Sequence, residues 1–93
     1  MKLRWTSPAL NDLESIADYI GCDNPQAAAK LLGKMHVLVY RLCDYPASGH
    51  AGRVAGTREA VLPQEQYTVV YRVAEDALEI IAVLHHARQW PKN

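Results

Sequence analysis

The sequence has few cysteines, no long hydrophobic run and no excess of either charge. Ten basic residues balance ten acidic ones. This balance argues against binding driven mainly by neutralisation of phosphates, because such binding needs clustered positive charge, although a local basic patch stays open. No apolar stretch approaches the roughly 18 residues that a membrane span needs, and no apolar signal region follows the first basic residues. These absences predict a cytoplasmic protein.

The two cysteines, Cys22 and Cys43, are too few and too far apart to indicate a zinc site or a disulfide framework. The helix prediction places them at opposite ends of a long helix. There they would lie roughly 30 Å apart, because a helix rises about 1.5 Å per residue, and no disulfide spans that distance. We therefore expect two free, buried thiols.

Two apolar runs near the C-terminus dominate the chain, separated by Glu75 and Asp76. Residues 67–73 are almost all β-branched or aromatic and residues 78–84 are nearly as apolar, which favours two strands joined as a hairpin. A two-residue loop pairs Arg72 with Glu79, Val70 with Ile81, Thr68 with Val83, Tyr71 with Ile80, Val69 with Ala82 and Tyr67 with Leu84. Because both faces are apolar, these should be central strands, covered at least partly on both sides.

A short strand and a first helix are predicted at the N-terminus. Residues 2–5 form the strand, and Ser7-Pro8 then provides an N-cap followed by proline in the first turn. Apolar residues follow at helical spacing on one face, and Gly21 ends the helix.

A second helix begins at Asp23-Asn24-Pro25, which repeats the same start signal. Its apolar face predicts a helix of about 18 residues, ending at Leu42 or Cys43. Because the connection is short, the two helices should form an antiparallel hairpin.

The remaining segments complete the predicted fold. Residues 44–56 are rich in glycine and proline and are predicted to be a loop, and residues 57–62 are predicted to be a strand. The resulting order is strand, helix, helix, strand, strand, strand. It predicts a single α+β domain over residues 1–93, in which the helical hairpin packs on one face of a mainly antiparallel four-stranded sheet.

Six residues could carry chemistry: Arg58, Tyr71, Arg72, His86, Arg88 and Trp90. A histidine can act as general acid or base near neutral pH, and arginines can stabilise the charge that develops on a phosphorane. A metal-independent ribonuclease would need such groups. The adjacent His85 and His86 would point away from each other on a strand, so no metal site is expected.

Each of the six also has a structural interpretation. Arg72 can simply be the cross-strand partner of Glu79, and Tyr71 can be a core residue. Arg58 can belong to a solvated strand edge, and Trp90 can fold back to close the core. His86 and Arg88, at a strand end, can cap a surface. The residues alone leave both interpretations open.

Short segments along nearly the whole chain carry a family resemblance. They are Ser7-Pro8-Ala9, Asp12-Leu13, Ile16, Tyr19-Ile20, Pro25 with Ala27-Ala28, Leu42, Pro46, Gly56-Thr57-Arg58-Glu59, Val70-Tyr71-Arg72-Val73 and the ending Val83-Leu84-His85-His86-Ala87-Arg88-Gln89-Trp90. In this order and at this length they resemble the RelE/ParE superfamily of toxins from type II toxin–antitoxin modules. The resemblance implies a helical hairpin against an antiparallel sheet, in agreement with the architecture predicted from the residues.

The superfamily has two mechanistic branches. RelE-like members are ribosome-dependent ribonucleases that cleave mRNA in the A site, whereas ParE-like members poison DNA gyrase and have no known catalytic activity. The nucleases are usually strongly basic and usually carry an arginine three residues before the tyrosine of the Val-Tyr pair, where this chain has Thr68. The segment Leu84-His85-His86-Ala87-Arg88 also looks more like ParE. The resemblance therefore favours a growth-inhibiting, plasmid-stabilisation type of toxin that acts on gyrase.

The resemblance also implies partners and sites, with no cofactor. A cognate antitoxin would wrap the toxin with a flexible segment that folds on binding. If gyrase is the target, the binding patch is expected at Arg58, His86, Arg88 and Trp90. If the chain is instead a RelE-like endoribonuclease, its partners are the ribosome and mRNA, and its catalytic residues are His86, Arg88, Arg72 and Arg58. A third possibility is a degenerate, non-toxic relative that only binds its antitoxin.

Overall fold

The computed structural model of this protein describes residues 1–87 and residue 90. Within those residues the elements are β1 (Lys2–Trp5), α1 (Ser7–Asp23), α2 (Pro25–Asp44), a 3-10 helix (Pro46–Ser48), β2 (His50–Ala51), β3 (Arg58–Leu62), β4 (Tyr67–Ala74) and β5 (Ala77–His85). The strands form one sheet in the order β1-β5-β4-β3-β2. The pair β1 and β5 is parallel and the other pairs are antiparallel. The predicted α+β architecture, a helical hairpin on a mainly antiparallel sheet, is confirmed.

In the residues that the structure describes, the sheet has five strands, so the prediction of a four-stranded sheet is wrong. The extra strand, β2, lies within residues 44–56, which were predicted to be a loop. His50 pairs with Glu59 and Ala51 with Arg58, which makes β2 the edge strand beside β3. A two-residue strand has no alternating pattern that could distinguish it from a loop.

The Tyr71 hydroxyl organises the segment before β2. It donates a hydrogen bond to the Pro46 carbonyl at 2.7 Å and accepts one from the Gly49 backbone N–H at 3.0 Å. A Cβ atom on Gly49 would collide with the Tyr71 hydroxyl oxygen, so glycine is required by this close approach. A core residue of β4 thus fixes the 3-10 helix and leads the chain into β2.

The helix ends differ from the prediction by a few residues. The N-cap of α1 is Thr6, whose side-chain oxygen accepts a hydrogen bond from the Ala9 N–H, rather than Ser7. The helix also continues past Gly21 to Asp23, because the backbone there stays outside the positive-φ region that would end it. Asn24, rather than Gly21, closes α1, and it also caps α2 at the predicted start signal.

Helix α2 extends to Asp44, beyond the predicted end at Leu42 or Cys43. Cys22 lies in the last turn of α1 and Cys43 in the last turn of α2, so the two are not at opposite ends of one helix. Both are free, but Cys22 is exposed and Cys43 is half-buried, so the prediction of two buried thiols is wrong. Burial raises the pKa of the Cys43 thiol.

The core lies between the helices and one face of the sheet. Each large side chain that is fully buried there contributes about 1.5–3 kcal/mol. The members of this cluster are Ala9, Leu31, Met35, Val39, Leu42, Ala60, Val69, Tyr71, Leu78, Ile80 and Val83.

The opposite face of the sheet, which we call the outer face, has a smaller apolar cluster. Val70, Ala82 and Leu84 are buried there, and Ile81 and Trp90 pack against them. The prediction that β4 and β5 are central strands covered partly on both sides is confirmed. So is the interpretation of Trp90 as a residue that folds back onto the apolar interior.

The β4–β5 hairpin contains a bulge that changes its register. The turn and the pairs Arg72–Glu79 and Tyr71–Ile80 are as predicted. Beyond them the predicted register is wrong by one residue, because β5 has an extra residue, Ile81. The pairs Val70–Ile81, Thr68–Val83, Val69–Ala82 and Tyr67–Leu84 are replaced by Val70–Ala82, Thr68–Leu84, Val69–Val83 and Tyr67–His85. A shift of one residue exchanges the faces, so Val83 turns toward the helices and Leu84 toward the outer face.

Neither helix is long and apolar enough to cross a membrane, as far as the described residues show.

Candidate functional site

A polar cleft of about 240 Å³ lies on the outer face, at the end where β5 finishes. The strands position its floor: β3 contributes alternate residues, β4 contributes Thr68 and β5 contributes Leu84. The lining residues are His50, Arg53, Glu59, Val61, Thr68, Leu84, His85 and His86. The cleft therefore combines imidazoles and a guanidinium, which can bind an anionic or hydrogen-bonding group of a partner.

His86 is held in this cleft by two hydrogen bonds. Its Nε2 lies 3.0 Å from the Thr68 Oγ1, and its backbone N–H donates to the Gln66 carbonyl at 2.8 Å. Gln66 has a φ of 64°, which turns its carbonyl within the bend before β4. Thr68 stands where the resemblance expects an arginine in the nucleases, and here its hydroxyl pairs with the histidine.

An ion pair between Arg53 and Glu59 forms one wall of the cleft. The Glu59 carboxylate is only 3% exposed. It accepts hydrogen bonds from the Arg53 Nε at 3.0 Å, the Nη2 at 2.9 Å and the backbone N–H at 2.9 Å. These hydrogen bonds, with the side-chain bond from Arg53 foremost, hold the pKa of the Glu59 carboxyl below its ordinary value. The pairing fixes the loop between β2 and β3 against the sheet.

Sequence reasoning did not identify Arg53, Glu59 or His50 as site residues. Arg53 lies in a segment predicted to be a loop, and its partner lies in the next strand. The one signal for the pair is a carboxylate directly before the apolar residues of a strand, which in a buried position requires a cationic partner.

Arg72 lies on the outer face but outside the cleft. Its Nε donates to the Glu79 Oε1 at 2.6 Å, and Arg4 Nη1 donates to the Glu79 Oε2 at 2.9 Å. The guanidinium of Arg72, with that of Arg4, holds the pKa of the Glu79 carboxyl below its ordinary value. Along β4, Arg72 is four residues from Thr68, about 13 Å at the usual rise of a strand. The predicted cross-strand pair is present, and it places Arg72 away from His86.

Arg58 lies on the other side of the sheet from His86. Its cross-strand partner is Tyr71, and it shares its face with Ala60, which belongs to the core under the helices. Its Nη1 donates to the carbonyls of Gly49 at 2.8 Å and Ala47 at 3.3 Å. The structure therefore does not bring Arg58 and His86 together.

The other predicted site residues divide between core and outer face. The Tyr71 side chain is fully buried and its hydroxyl is used by Pro46 and Gly49. Trp90 packs on the outer apolar cluster. Arg88 lies outside the described residues. Among the residues that are described, no group of three or more histidines, cysteines or acids could hold a metal ion.

Comparison with known proteins identifies the family of this chain. Residues 3–90 match the family described as the ParE toxin of the type II toxin-antitoxin system, parDE. The chain belongs to the ParE toxin family. The resemblance to the RelE/ParE superfamily is confirmed. This chain is a toxin of the kind found in type II toxin–antitoxin modules.

Two relatives cover nearly the whole toxin. The protein Y4kP of Sinorhizobium fredii is 43% identical over 91 residues, which are 98% of this chain and 94% of the relative. Toxin RelE2 of Caulobacter vibrioides is 33% identical over 84 residues, 90% of this chain and 93% of that one. The second relative carries a RelE name, so the family assignment leaves the molecular target open.

Solved structures agree with the fold. The chromosomal ParDE toxin–antitoxin system from P. aeruginosa matches with a TM-score of 0.79 and 26% identity, over 89% of this chain and 92% of that one. The RelBE2 toxin–antitoxin complex of Mycobacterium tuberculosis matches with a TM-score of 0.63 and 22% identity, over 90% of this chain and 95% of that one. The second match shows the shared fold.

Proposed function

We propose that this toxin inhibits bacterial growth by binding DNA gyrase, with no catalytic step of its own, and that a cognate antitoxin neutralises it. The observation that carries this proposal is that the described arginines of the sheet, and Arg53 in the loop before β3, already have hydrogen-bond acceptors within the toxin. Arg72 is paired with Glu79, Arg53 with Glu59, and Arg58 with backbone carbonyls on the opposite face.

This arrangement suits binding better than phosphoryl chemistry. A ribonuclease without a metal needs cations aimed at the phosphate whose charge develops in the transition state. Here the described arginines of the sheet already have acceptors and are spread over two faces. The net charge of zero also gives little attraction to RNA. The match of residues 3–90 to the ParE family adds support for gyrase, the target that the resemblance implies.

A ribosome-dependent mRNA endoribonuclease is the second candidate, and the outer-face cleft favours it. His86 lies there beside Thr68, with His50 and Arg53 in the same lining. In that function His86 would be the general acid or base and Arg53 the group that meets the phosphate.

The deciding experiment uses purified, antitoxin-free toxin in two parallel reactions. The first measures supercoiling and DNA cleavage by gyrase, and the second measures cleavage of mRNA on programmed ribosomes. Accumulated cleaved DNA with intact mRNA supports the proposal. Cut mRNA with unaffected gyrase overturns it in favour of the nuclease. Folded toxin that is silent in both reactions also overturns it, and favours a degenerate relative that only binds its antitoxin.

The same proposal assigns a partner and a place of action. A toxin that inhibits gyrase must be neutralised by an antitoxin in the cell that makes it, and the similar P. aeruginosa structure is titled as a ParDE system. Gyrase is a cytoplasmic target, so the proposed place of action is the cytoplasm.

A further inference from the structure

An open groove lies between α1 and the end of the sheet where β4 begins and β5 finishes. Its volume is about 630 Å³. We call it the α1–β5 groove. The lining is mostly apolar, so the groove offers hydrophobic surface that a partner can cover. The lining residues are Ser15, Ile16, Tyr19 and Ile20 on α1, and Tyr67, Val83, His85 and Ala87 on the opposite wall.

Aromatic rings stand on both walls of this groove. Tyr19 on the helix wall is 74% exposed, the largest exposed fraction among the large hydrophobic residues that the structure describes. On the opposite wall the rings of Tyr67 and His85 meet nearly edge to face, with centroids 5.1 Å apart. Tyrosine is a common anchor of protein–protein contacts, because its ring contributes a large contact area at little cost in side-chain entropy. The groove therefore suits an apolar or aromatic side chain of a partner.

His85 has a defined tautomer in this groove. The Ala87 backbone N–H donates to the His85 Nδ1 at 3.1 Å, so the neutral imidazole carries its proton on Nε2. The Ser15 hydroxyl lies on the opposite wall. A mostly apolar lining with a few hydrogen-bonding groups is typical of binding sites.

Helix α1 gives the surface around the groove a negative charge. Asp23 is three residues from Ile20 and four from Tyr19, so it lies on the helix face that forms the wall, and Asp18 is adjacent to Tyr19. The helix has no lysine or arginine, and in the part of the chain that the structure describes none of its acids forms an ion pair. A cationic partner would balance this charge. The acidic residues of α1 are Asp12, Glu14, Asp18 and Asp23.

The two helices carry opposite charges, although the whole chain is neutral. Helix α2 has Lys30, Lys34 and Arg41 against one acid, Asp44. A surface with exposed lysines and arginines is therefore attracted to α1, whereas DNA itself is repelled from it. Gyrase holds DNA, and proteins that hold DNA carry clustered cations along its path. The charge of α1 thus suits the protein surface of gyrase beside its DNA.

The groove is continuous with the end of the chain that the sequence predicts as the target-binding patch. His85 lines both the groove and the outer-face cleft, and His86 follows it in the lining of that cleft. A protein surface seated on the groove would therefore also reach the end of β5.

We propose that the toxin binds gyrase through the α1–β5 groove, which receives an apolar or aromatic side chain of gyrase flanked by lysines or arginines. Tyr19 anchors this contact, and Asp18 and Asp23 pair with the flanking cations. This inference rests on the proposed function, because it names the surface by which the toxin binds gyrase.

The test measures binding of full-length, antitoxin-free toxin to the complex of gyrase with DNA by titration calorimetry. Tyr19→Ala should weaken binding by about tenfold or more. Because Tyr19 is exposed, the melting temperature of the free toxin should stay within about 2–4 °C of the wild type, which a merely structural role of the ring would not allow. Tyr40→Ala removes an exposed tyrosine of α2 and is the matched control, which should keep the affinity within about twofold.

Charge reversal provides a second variant that does not depend on packing. Asp18→Lys combined with Asp23→Lys should weaken binding by about tenfold at low salt, and the loss should shrink as salt is added. Asp44→Lys combined with Asp76→Lys makes the same change of net charge at exposed positions outside α1. This control should keep the affinity within about twofold, because exposed charges away from a contact are largely screened.

The outcomes separate this inference from the function beneath it. Wild-type binding to gyrase with unchanged affinity in Tyr19→Ala and in the α1 charge-reversed variant overturns the groove as the contact and leaves the proposed function standing. Equal losses in the two charge-reversed variants also overturn it, since location would then not matter. Failure of the wild-type toxin to bind gyrase overturns both. Weaker binding of the α1 variants to purified antitoxin, with gyrase binding retained, overturns the inference by assigning the groove to the antitoxin.

Discussion

The Asp12 carboxylate of α1 accepts a hydrogen bond from the backbone N–H of Val83 at 3.0 Å, just beyond the bulge in β5. On the other side of the bulge, the Thr6 hydroxyl donates to the Ile80 carbonyl at 2.8 Å. A bulge interrupts the ladder of hydrogen bonds between strands. The first turns of α1 therefore bind the irregular part of β5 from two points, and this fixes the helical hairpin on the sheet.

Removal of the Asp12 carboxylate should destabilise the toxin. Asp12→Ala leaves the N–H of buried Val83 without its acceptor, and a buried group without a partner costs about 1–3 kcal/mol. Asp12→Asn keeps an oxygen acceptor and should lose less. The free energy of unfolding in urea measures both. Asp18→Ala, an exposed acid on the same helix, is the control, and a loss equal to that of Asp12→Ala would show that the hydrogen bond is unimportant.

Glu59 should make the toxin sensitive to acid. Because Arg53 holds the pKa of the Glu59 carboxyl below its ordinary value, folding favours the charged form. The stability from this pair is therefore fully present above the ordinary pKa of glutamate, about 4.3, and is lost as pH falls through the lower value in the folded state. Unfolding free energies between neutral pH and pH 3 should fall more steeply in the wild type than in Glu59→Gln. Parallel curves for the two proteins would contradict this assignment.

The Tyr71 hydroxyl and Gly49 should be energetically coupled. Tyr71→Phe removes both hydrogen bonds to the segment before β2 and should cost about 1–3 kcal/mol, since Pro46 and Gly49 lose their partner. Gly49→Ala should also destabilise, because its Cβ would collide with that hydroxyl. In the double variant the loss should be smaller than the sum of the two, as a double-mutant cycle measures. Strict additivity would mean that the two residues act separately.

The bulge shows why the hairpin could be predicted only in part. The turn and the Arg72–Glu79 pair follow from two charged residues placed symmetrically about an acidic loop. Beyond Ile80 every residue of β5 up to Leu84 is apolar, and both faces of the sheet are covered. A slip of one residue therefore leaves the hydrophobic pattern unchanged, and the sequence contains no signal for it. The hydrogen bond from Val83 to Asp12, 71 residues away in the chain, is what marks the shifted register.

His86 could be named as a candidate site residue from the sequence, but the residues that surround it in the cleft could not. Arg58 and Glu59 are adjacent, so they point to opposite faces, and the short strand β3 gave no clear sign of which face each takes. Glu59, not Arg58, shares the outer face with Thr68 and the cleft. The partner of Glu59 lies in a loop whose path is set by the Tyr71 hydroxyl and β2, both tertiary features. Spacing along the chain does not contain this information.

Substitution of His86 should separate binding from catalysis. His86 bonds to Thr68 within a cleft whose arginine is already paired, so we expect His86→Ala to retain gyrase inhibition within about a few-fold of the wild type, a change of binding alone. Arg72→Ala should behave in the same way, since it removes one of the two arginine partners of Glu79 about 13 Å from the cleft and Arg4 still pairs with that carboxylate. The measurement is the toxin concentration that gives half-maximal gyrase-dependent DNA cleavage.

The matched control for this prediction is His36→Ala, a substitution of an exposed histidine on α2. If His86 were a general acid or base, its loss would lower the rate of mRNA cleavage by about 10²-fold or more, while His36→Ala would leave that rate unchanged. Such a rate loss on ribosomes would contradict the gyrase mechanism. Equal behaviour of both histidine variants in the gyrase reaction would agree with a toxin whose activity comes from binding energy, because no single imidazole then limits the rate.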